Sequence, residues 1–318
     1  MIKIQNTLKL PLLFIFLLLC KSSPAQKDTL SFIHITDLHV IFSQGCYPTD
    51  MMEYRKEKQY DQGENRLRQF FQSIPAATNS DMVIATGDLI DFFEAEAGCA
   101  EMLDIQIEQF AHLLDDYNVK VLLALGNHDI FSFLWSDNKL KVHQNNSECA
   151  RAAWIRNVTC FKNGTYYSKS FQVGITTYKF LFLDDSFYWL NPEDNSEIPY
   201  VDKPQLYWLN AQLQESANDV EIFFLHIPLA DSIPQPEYSR GLSSVLTQNP
   251  SARLILAGHH HNNIVRSYNS SDGNKLVQVQ TGALVLSKEN WRLIRLTENN
   301  ILVSVPGKTE NEIVIPVK

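Results

Sequence analysis

The sequence has little positive charge. Its 318 residues hold 27 Lys and Arg against 36 Asp and Glu, which gives a formal net charge of −9. Nucleic-acid binding usually needs a basic groove, so no nucleic-acid partner is expected. A low-complexity linker is also missing, and the 45% hydrophobic and 20% charged residues are typical of an ordinary globular protein. We therefore predict one domain over residues 26–318.

A hydrophobic run long enough for a membrane span is missing as well. Residues 12–20 form a continuous apolar run, but it is too short to cross a bilayer comfortably. Two lysines precede it and small residues lead up to Ala25, a pattern typical of a cleaved signal peptide. The alternatives are a lipoprotein acylated at Cys20, for which the preceding leucine is a poor fit, and an uncleaved anchor. The sequence thus predicts a signal peptide at residues 1–25, a periplasmic or secreted protein, and no transmembrane helix in the mature chain.

Cysteine pairs with the CxxC spacing of thiolate zinc sites do not occur, so such a site is not expected. The predicted mature chain keeps four cysteines, an even number in an oxidising compartment. Cys46 and Cys99 follow two neighbouring strand-like runs, whereas Cys149 and Cys160 are close in sequence. Disulfides Cys46–Cys99 and Cys149–Cys160 are therefore favoured, with free buried thiols as the alternative.

Polar clusters follow five apolar, strand-like runs at the point where each run ends. They are Asp37 and His39 after residues 32–36, Asp88 and Asp91 after residues 82–86, Asn127 and His128 after residues 119–125, His226 after residues 222–225, and His259 and His261 after residues 254–257. In open α/β sheets, ligands bind at the carboxyl edge of the strands. One such cluster is more often a turn or a helix cap, whereas five together indicate a metal site. Nitrogen and oxygen ligands of these types suit manganese, zinc or iron rather than calcium.

The order of the runs indicates the fold class. Apolar residues with helical spacing at 66–74 and 101–117 separate the first three runs, and this βαβαβ opening predicts a parallel sheet covered by helices. The second half has one helical pattern at 204–215 and strand patterns at 166–172, 176–183, 221–225, 275–280, 291–297 and 301–305. Two polar stretches, residues 44–65 and 131–163, are predicted to be insertions at the metal edge, where loops carry specificity.

The polar clusters also match a known set of motifs. Asp-x-His, Gly-Asp-x-x-Asp, Gly-Asn-His-Asp, a single His after a strand, and Gly-His-x-His occur in this order. Over residues 30–305 the chain therefore resembles the calcineurin-like metallophosphoesterases. The resemblance implies an α/β (α+β) fold in which two mixed β-sheets pack as a sandwich flanked by helices. It also implies a dinuclear metal site at the carboxyl edge of the strands.

The resemblance assigns the metal ligands residue by residue. One cation would be held by Asp37, His39 and His261, the other by Asn127, His226 and His259, and Asp88 would bridge the two. A shared carboxylate can keep two cations about 3.5–4 Å apart, so that attacking and leaving oxygens are both clamped. Such divalent or trivalent ions, manganese, zinc or iron, lower the pKa of bound water towards about 7 and supply hydroxide at neutral pH.

The resemblance gives catalytic roles to two further motif residues. His128 would protonate the leaving alkoxide, and Asp91 would orient His128 through its other ring nitrogen. The alternatives are an ordinary loop histidine for His128 and a helix cap for Asp91. Purple acid phosphatases have a tyrosine at the position of Asp91, and protein Ser/Thr phosphatases have an arginine at that of Phe92, so the chain departs from both branches.

The sequence thus predicts an exported dinuclear-metal phosphoesterase that hydrolyses mono- or diesters of small organic molecules by attack of a metal-bound hydroxide. The alternative is a catalytically weak or inactive metal-dependent binding module on the same fold. Five aromatic residues of the edge loops either stack on an organic group or pack in the core: Phe42, Tyr47, Phe131, Phe133 and Trp135. The pattern leaves the substrate and the oligomeric state open.

Overall fold

The computed structural model describes residues 27–190, 197–229, 240–269 and 275–317. The predicted signal peptide and Cys20 lie outside the described residues and stay predictions. The first half contains β1 (Thr29–Ile35), α1 (Thr49–Glu57), α2 (Gly63–Thr78), β2 (Met82–Thr86), β3 (Glu94–Glu96), β4 (Met102–Leu103), α3 (Gln106–Asp115), β5 (Val121–Ala124), β6 (Ser132–Ser136), β7 (Lys139–His143) and α4 (Ser147–Asn157). The second half contains β8 (Tyr167–Val173), β9 (Thr176–Phe182), β10 (Phe187–Leu190), β11 (Glu197–Tyr200), α5 (Lys203–Glu215), β12 (Val220–Phe224), α6 (Arg240–Gln248), β13 (Ala252–Ala257), β14 (Ile264–Asn269), β15 (Lys275–Gln280), β16 (Arg292–Thr297), β17 (Asn300–Ser304) and β18 (Asn311–Pro316).

The strands form two large mixed sheets. The first has the order β18-β17-β16-β1-β2-β5, in which β1, β2 and β5 are parallel and β16 runs antiparallel to β1. The second has the order β14-β15-β13-β12-β9-β8, in which β15, β13, β12 and β9 are parallel and the two edge strands are antiparallel. The predicted elements of the second half lie within one residue of β8, β9, α5, β12, β15, β16 and β17.

The two sheets pack face to face through alternate side chains. In β9, Phe180 belongs to the large core between the sheets, whereas Leu181 belongs to a second core on the outer face. The ring of Phe32 in β1 lies 5.4 Å from that of Phe180 and 5.8 Å from that of Phe224 in β12. Because successive strand residues point to opposite faces, apolar residues at every position bury both faces of the second sheet.

Helices cover the outer faces of the sandwich. Phe70 of α2 and Phe110 of α3 join the core of the first sheet, while Leu209 of α5 and Leu242 of α6 join the core outside the second. The predicted sandwich of two mixed sheets flanked by helices is therefore confirmed. The helix predicted at 101–117 begins only at Gln106, because the residues before it pair with β3 as the short strand β4. Over the described ranges, no helix is both long and apolar enough to cross a bilayer.

The two insertions are folded rather than irregular. The first holds α1 and a 3₁₀ turn, Tyr60–Gln62, and the second holds β6, β7 and α4. A small sheet with the order β4-β3-β6-β7 joins the second insertion to the segment after β2. These strands have only two to five residues, and such short runs give little periodicity from which to predict a strand.

The predicted disulfides do not occur in the structure, where Cys46, Cys99, Cys149 and Cys160 are free thiols. The loops of the first pair are adjacent, since the Gly98 amide donates to the Cys46 carbonyl, but both cysteines are exposed to solvent. In the second pair, Cys149 lies eight residues before the end of α4, which is about 12 Å along the helix axis. Bridged cysteines need Cα atoms within about 7 Å. The alternative of buried thiols fits only Cys160, which is partly buried against the core.

Candidate metal centre

The polar clusters predicted from the sequence meet at one edge of the sandwich. Parallel strands of both sheets end there, so the first and second sheets each supply part of the site. We call the seven predicted metal ligands the ligand cluster: Asp37, His39, Asp88 and Asn127 from the first sheet, and His226, His259 and His261 from the second. The sheet-end geometry therefore assembles residues that are up to 224 positions apart in the chain.

Most residues of the ligand cluster share the same strained backbone conformation. Five of its members have left-handed φ angles: 52° at Asp37, 41° at His39, 49° at Asp88, 71° at His259 and 59° at His261. Such a conformation costs of the order of 1–3 kcal/mol for a residue with a side chain, and it persists where the surroundings hold it. Here the amides of Asp37 and His39 donate to the carbonyls of Gly87 and Asp88 at 3.1 and 2.9 Å. These hydrogen bonds join the ends of the two strands and turn their polar side chains into the site.

Three glycines let the ligand side chains pack against backbone. A Cβ atom on Gly87 would lie within 3.0 Å of the His226 ring, and one on Gly126 within 3.0 Å of the Asp88 amide and carboxylate. On Gly258 it would lie equally close to the Asp37 carboxylate. Each motif glycine is therefore required by a ligand residue that comes from a different strand.

The first group of ligand atoms comes from Asp37, His39, Asp88 and His261, and all of them lie within 4.8 Å of one another. His39 Nε2 is 3.2 Å from His261 Nε2, which is 3.3 Å from Asp37 Oδ1. Asp37, His39 and Asp88 are buried. Lone pairs of two carboxylates and two imidazoles thus converge on one point, as a bound cation requires.

The second group consists of Asp88, His226 and His259, also within 4.8 Å. His226 Nε2 lies 3.2 Å from Asp88 Oδ2 and 3.3 Å from His259 Nδ1. Asp88 belongs to both groups, which is the position of a bridging carboxylate. Among the described residues, the buried side-chain oxygen of Asn127 has no hydrogen-bond partner, and an orphaned oxygen beside this group is suited to a cation. The residues present therefore fit two metal ions.

Outer hydrogen bonds orient two of the histidines. His226 Nδ1 lies 2.8 Å from the carbonyl oxygen of Thr86, and His39 Nδ1 lies 3.1 Å from Asp91 Oδ1. A carbonyl oxygen only accepts, so His226 must carry its proton on Nδ1 and direct the Nε2 lone pair into the site. Partners of this kind fix the tautomer and the ring orientation of metal-binding histidines.

His128 lies at the rim of the ligand cluster with 20% of its side chain exposed. Its amide donates to Asp88 Oδ1 at 2.9 Å, and its Nδ1 is 2.7 Å from the main-chain oxygen of Asp91 and 3.3 Å from the carboxylate Oδ1. Burial by itself lowers the pKa of His128, but the carboxylates of Asp88 and Asp91 outweigh it and raise the pKa to about 9. The structure thus brings His128 and Asp91 together, chiefly through the backbone of Asp91.

The Asp91 carboxylate has a partner that sequence reasoning missed. Arg55 in α1 is buried and binds it with both Nε, at 2.7 Å from Oδ2, and Nη2. Burial alone would raise the pKa of Asp91, but Arg55, His128 and His39 hold it well below its usual range. Because the guanidinium occupies this carboxylate, Asp91 is unsuited to bind a cation itself. No local pattern around Arg55 indicates this contact, which spans 36 residues.

Aromatic rings surround the Arg55 guanidinium. Its Cζ lies 4.5 Å from the centroid of Tyr60, 5.4 Å from Phe133 and 5.8 Å from Tyr54. The Tyr60 ring also stacks on His39, with centroids 4.0 Å apart and an interplanar angle of 11°. The ring of Trp135 lies 5.8 Å from that of Tyr54. We call these five residues of the two insertions the insertion cluster: Tyr54, Arg55, Tyr60, Phe133 and Trp135.

Two further carboxylates, to which the sequence analysis gave no role, hold the loops of the site. Asp129 accepts hydrogen bonds from the amides of Leu89, Ile90 and Gly126 at 2.7–3.0 Å. Asp185 accepts from the amide of His226 at 2.8 Å and from that of the next residue at the same distance. The pattern that revealed the other clusters could have found Asp185, since it follows the apolar strand β9.

The aromatic residues of the edge loops divide into two kinds. Phe42, Tyr47, Phe131 and Phe133 are buried, at 0–4% exposure, and belong to the core, whereas Trp135 is only partly buried. Core packing therefore accounts for four of the five, and Trp135 is the one that remains near the surface.

Histidines outside the motifs lie apart from the ligand cluster. His34 is buried between the hydroxyl groups of Thr86 and Thr281, at 2.8 and 2.7 Å, and burial lowers its pKa to about 3. The other two, His112 and His143, are exposed and partly buried, respectively. His260 occupies the variable position of the last motif and is exposed beside the ligand cluster, with its ring 5.0 Å from that of His259. His34 is thus a hydrogen-bonded core histidine.

Comparison with known families and structures agrees with this site. The sequence profile of calcineurin-like phosphoesterases matches residues 30–263, which is most of the chain. The match, the two-sheet fold and the ligand cluster define a hydrolase that acts on phosphoric ester bonds. The chain belongs to the calcineurin-like phosphoesterase family. Comparison with curated protein sequences gave no significant match.

Three solved structures with the same fold share little sequence identity with this chain. A dimetal phosphatase from Danio rerio is 16% identical with a TM-score of 0.57, and the alignment covers 91% of this chain and 99% of that one. GAP50, the anchor in the inner membrane complex of Plasmodium, is 14% identical with a TM-score of 0.54, and the alignment covers 92% of this chain and 90% of that one. A purple acid phosphatase from yellow lupin seeds is 13% identical with a TM-score of 0.53, and the alignment covers 92% of this chain and 55% of that one. At these identities the likeness shows the fold alone.

Proposed function

We propose that the protein is an exported dinuclear-metal phosphoesterase that hydrolyses phosphate mono- or diesters of small organic molecules. The observation that carries the proposal is the position of Asp88. Its carboxylate faces His39 at 3.6 Å and His226 at 3.2 Å, and so belongs to both groups of converging ligand atoms.

In this proposal, each cation takes ligands from both sheets. Asp37, His39 and His261 hold one, Asn127, His226 and His259 hold the other, and Asp88 bridges them. The orphaned oxygen of Asn127 and the inward Nε2 atom of His226 support the second set. When bound, the two cations supply positive charge to the phosphoryl oxygens and a nucleophile by acidifying water.

His128 supplies the proton to the leaving group. Its Nδ1 is held by the main chain of Asp91, so Nε2 is the atom that donates. The ring is partly exposed at the rim, beside Asp88 but outside the two groups of ligand atoms that share Asp88, where a leaving alkoxide has access to it. The Asp91 carboxylate, 3.3 Å from Nδ1, favours the protonated ring that a general acid requires.

Fold alone does not decide between an enzyme and a binding module, because the fold also occurs in an anchor protein. Here the bridging Asp88 and the acid His128, the residues whose loss would disable turnover, are both present. Export rests on the signal-peptide pattern of residues 1–25, and the restriction to small organic esters rests on Trp135, the edge-loop aromatic residue that remains near the surface.

The proposal is tested with purified protein of residues 26–318. Hydrolysis of phosphomonoesters, diesters and nucleotides would be assayed with manganese, zinc or iron after removal of metal with a chelator. We expect activity that returns with one of these metals at about two ions per chain by mass spectrometry. Metal binding without hydrolysis of any ester would contradict the proposed enzyme and favour the alternative of a metal-dependent binding module. For export, the chain fused to a reporter should leave the cytoplasm, and a fusion lacking residues 1–25 should not.

A further inference from the structure

The insertion cluster continues outward from His128 to the surface. Phe133 lies 5.9 Å from the His128 ring, centroid to centroid, and is fully buried. Trp135 follows two residues later in β6, so both side chains are on the same face of the strand, about 7 Å apart along it. The ring of Tyr54 in α1 lies 5.8 Å from that of Trp135, and Tyr54 is 36% exposed.

From this arrangement we infer that Tyr54 and Trp135 form a stacking site for an aromatic ring carried by the organic group of the substrate. The inference rests on the proposed function and names the substrate class: phosphate esters whose alcohol bears a ring system, such as a nucleoside. His128 is proposed to protonate the leaving oxygen, and Trp135 lies beyond Phe133, the neighbour of His128, along β6. A ring joined to that oxygen by a sugar-sized spacer would therefore reach Tyr54 and Trp135.

Neighbouring side chains contact both rings and hold them in place. The Arg55 guanidinium lies 5.8 Å and the Lys58 ammonium 6.0 Å from the centroid of Tyr54, and Arg55 itself is fixed by Asp91. Trp135 is held by the core on one side through its strand neighbours. Pre-ordered rings lose little conformational freedom when a ligand stacks on them, which favours binding.

The test compares two ligands that differ only in the ring. Adenosine 5′-monophosphate and ribose 5-phosphate would be titrated as competitive inhibitors of the hydrolysis of a p-nitrophenyl phosphate ester. Base stacking on an aromatic side chain is worth roughly tenfold in affinity. We expect the nucleotide to bind about tenfold more tightly to the wild-type protein. The ratio should fall towards one in Tyr54→Ala and Trp135→Ala, with little change for ribose 5-phosphate.

Two further variants serve as controls. Trp135→Phe keeps an aromatic ring and should keep most of the preference for the nucleotide. Tyr207→Ala removes a tyrosine that is 74% exposed on α5 and should leave the ratio unchanged. Equal inhibition constants for the two ligands in the wild-type protein, or an unchanged ratio in both alanine variants, would overturn the inference.

A fluorescence titration separates this inference from the proposed function. Adenosine 5′-monophosphate should quench the emission of Trp135, seen as the difference between the wild type and Trp135→Ala, whereas ribose 5-phosphate should not. If no phosphate ester is hydrolysed but this quenching occurs, the proposed function fails and the stacking site stands. If esters are hydrolysed and the two ligands give the same emission, only the stacking site fails.

Discussion

The ligand cluster and the insertion cluster are adjacent but are built in different ways. The ligand cluster consists of short polar residues at strand ends, turned inward by left-handed backbone and closely approached by glycines. The insertion cluster consists of large aromatic side chains around one arginine, on α1, a 3₁₀ turn and β6. The sheet edge therefore supplies the residues that determine the chemistry, whereas the insertions supply the side chains that support these residues and determine which substrates reach them.

The two clusters meet at Asp91. Its carboxylate binds Arg55 of the insertion cluster and His39 of the ligand cluster, and its main chain binds His128. Substitutions in the two clusters should therefore have different consequences. Those in the ligand cluster should cause loss of metal, and those in the insertion cluster should weaken the structural support of the site. The predictions below test this division from the largest expected effect to the smallest.

The largest effect is expected within the ligand cluster, for Asp88→Asn. A neutral amide bridges two cations poorly, so this variant should lose nearly all phosphoesterase activity and much of its bound metal. Metal per chain would be measured by mass spectrometry beside the turnover rate. As a control, Asp137→Asn changes a carboxylate whose side chain is 82% exposed and should match the wild type. If Asp88→Asn kept two ions per chain and near-normal turnover, Asp88 would not be the bridging ligand.

His128→Ala should separate turnover from metal binding. Loss of a general acid commonly lowers kcat by about 10²–10⁴, and metal content should stay near that of the wild type. The loss should be smaller for a p-nitrophenyl ester than for an alkyl ester, since p-nitrophenolate leaves without protonation. His112→Ala, at a surface site, is the control. Equal losses on both esters would leave His128 with phosphate positioning only.

Arg55→Met tests the support that the insertion cluster gives. The substitution leaves the buried Asp91 carboxylate without its cation, so the free energy of unfolding should fall by about 3–5 kcal/mol in denaturant titrations. Arg68→Met, which removes a partly exposed ion pair with Glu64, should cost less than about 1 kcal/mol.

The double variant Arg55→Met/Asp91→Asn sharpens the same comparison. It should be less destabilised than the sum of its single variants, because no uncompensated charge is then buried. His128 should keep its orientation in Asp91→Asn, since its closest contact is the main-chain oxygen. Additive losses in stability would show that Arg55 and Asp91 act independently.

The smallest effect lies outside both clusters, at Glu221 in β12. Burial raises the pKa of Glu221 from its usual 4.5 to about 7, against hydrogen bonds from Ser216 and Asn249. Because the pKa is higher in the folded state, the protonated carboxyl stabilises the fold at low pH, and this contribution is lost as the pH rises through 7. Glu221→Gln should therefore melt roughly 2–4 °C higher than the wild type at pH 8.

The two melting temperatures should converge as the pH falls below the usual pKa of glutamate. Differential scanning calorimetry of metal-free protein at a series of pH values would measure the difference directly. Melting curves of the wild type and the variant that run parallel from pH 5 to pH 8 would show that Glu221 does not titrate with folding.

Sequence alone determined the parts of this protein that depend on local pattern. Apolar runs that stop at Asp, Asn or His are read within a few residues, and a parallel arrangement brings such strand ends to one edge. The parallel sheet and its polar edge were therefore open to prediction from the pattern, whereas the two-sheet sandwich and the assignment of ligands came from the resemblance to the family. The same pattern also indicates Asp185, which follows the apolar strand β9.

Only the tertiary structure decided which residues support and surround the site. Arg55 reaches Asp91 across 36 residues, and Tyr60 reaches His39 through the fold of the insertion that holds both Arg55 and Tyr60. It also left Cys46 and Cys99 as exposed free thiols on adjacent loops. Such contacts depend on how separate segments pack, and packing is set by the shape and burial of the whole core rather than by any local pattern in the chain.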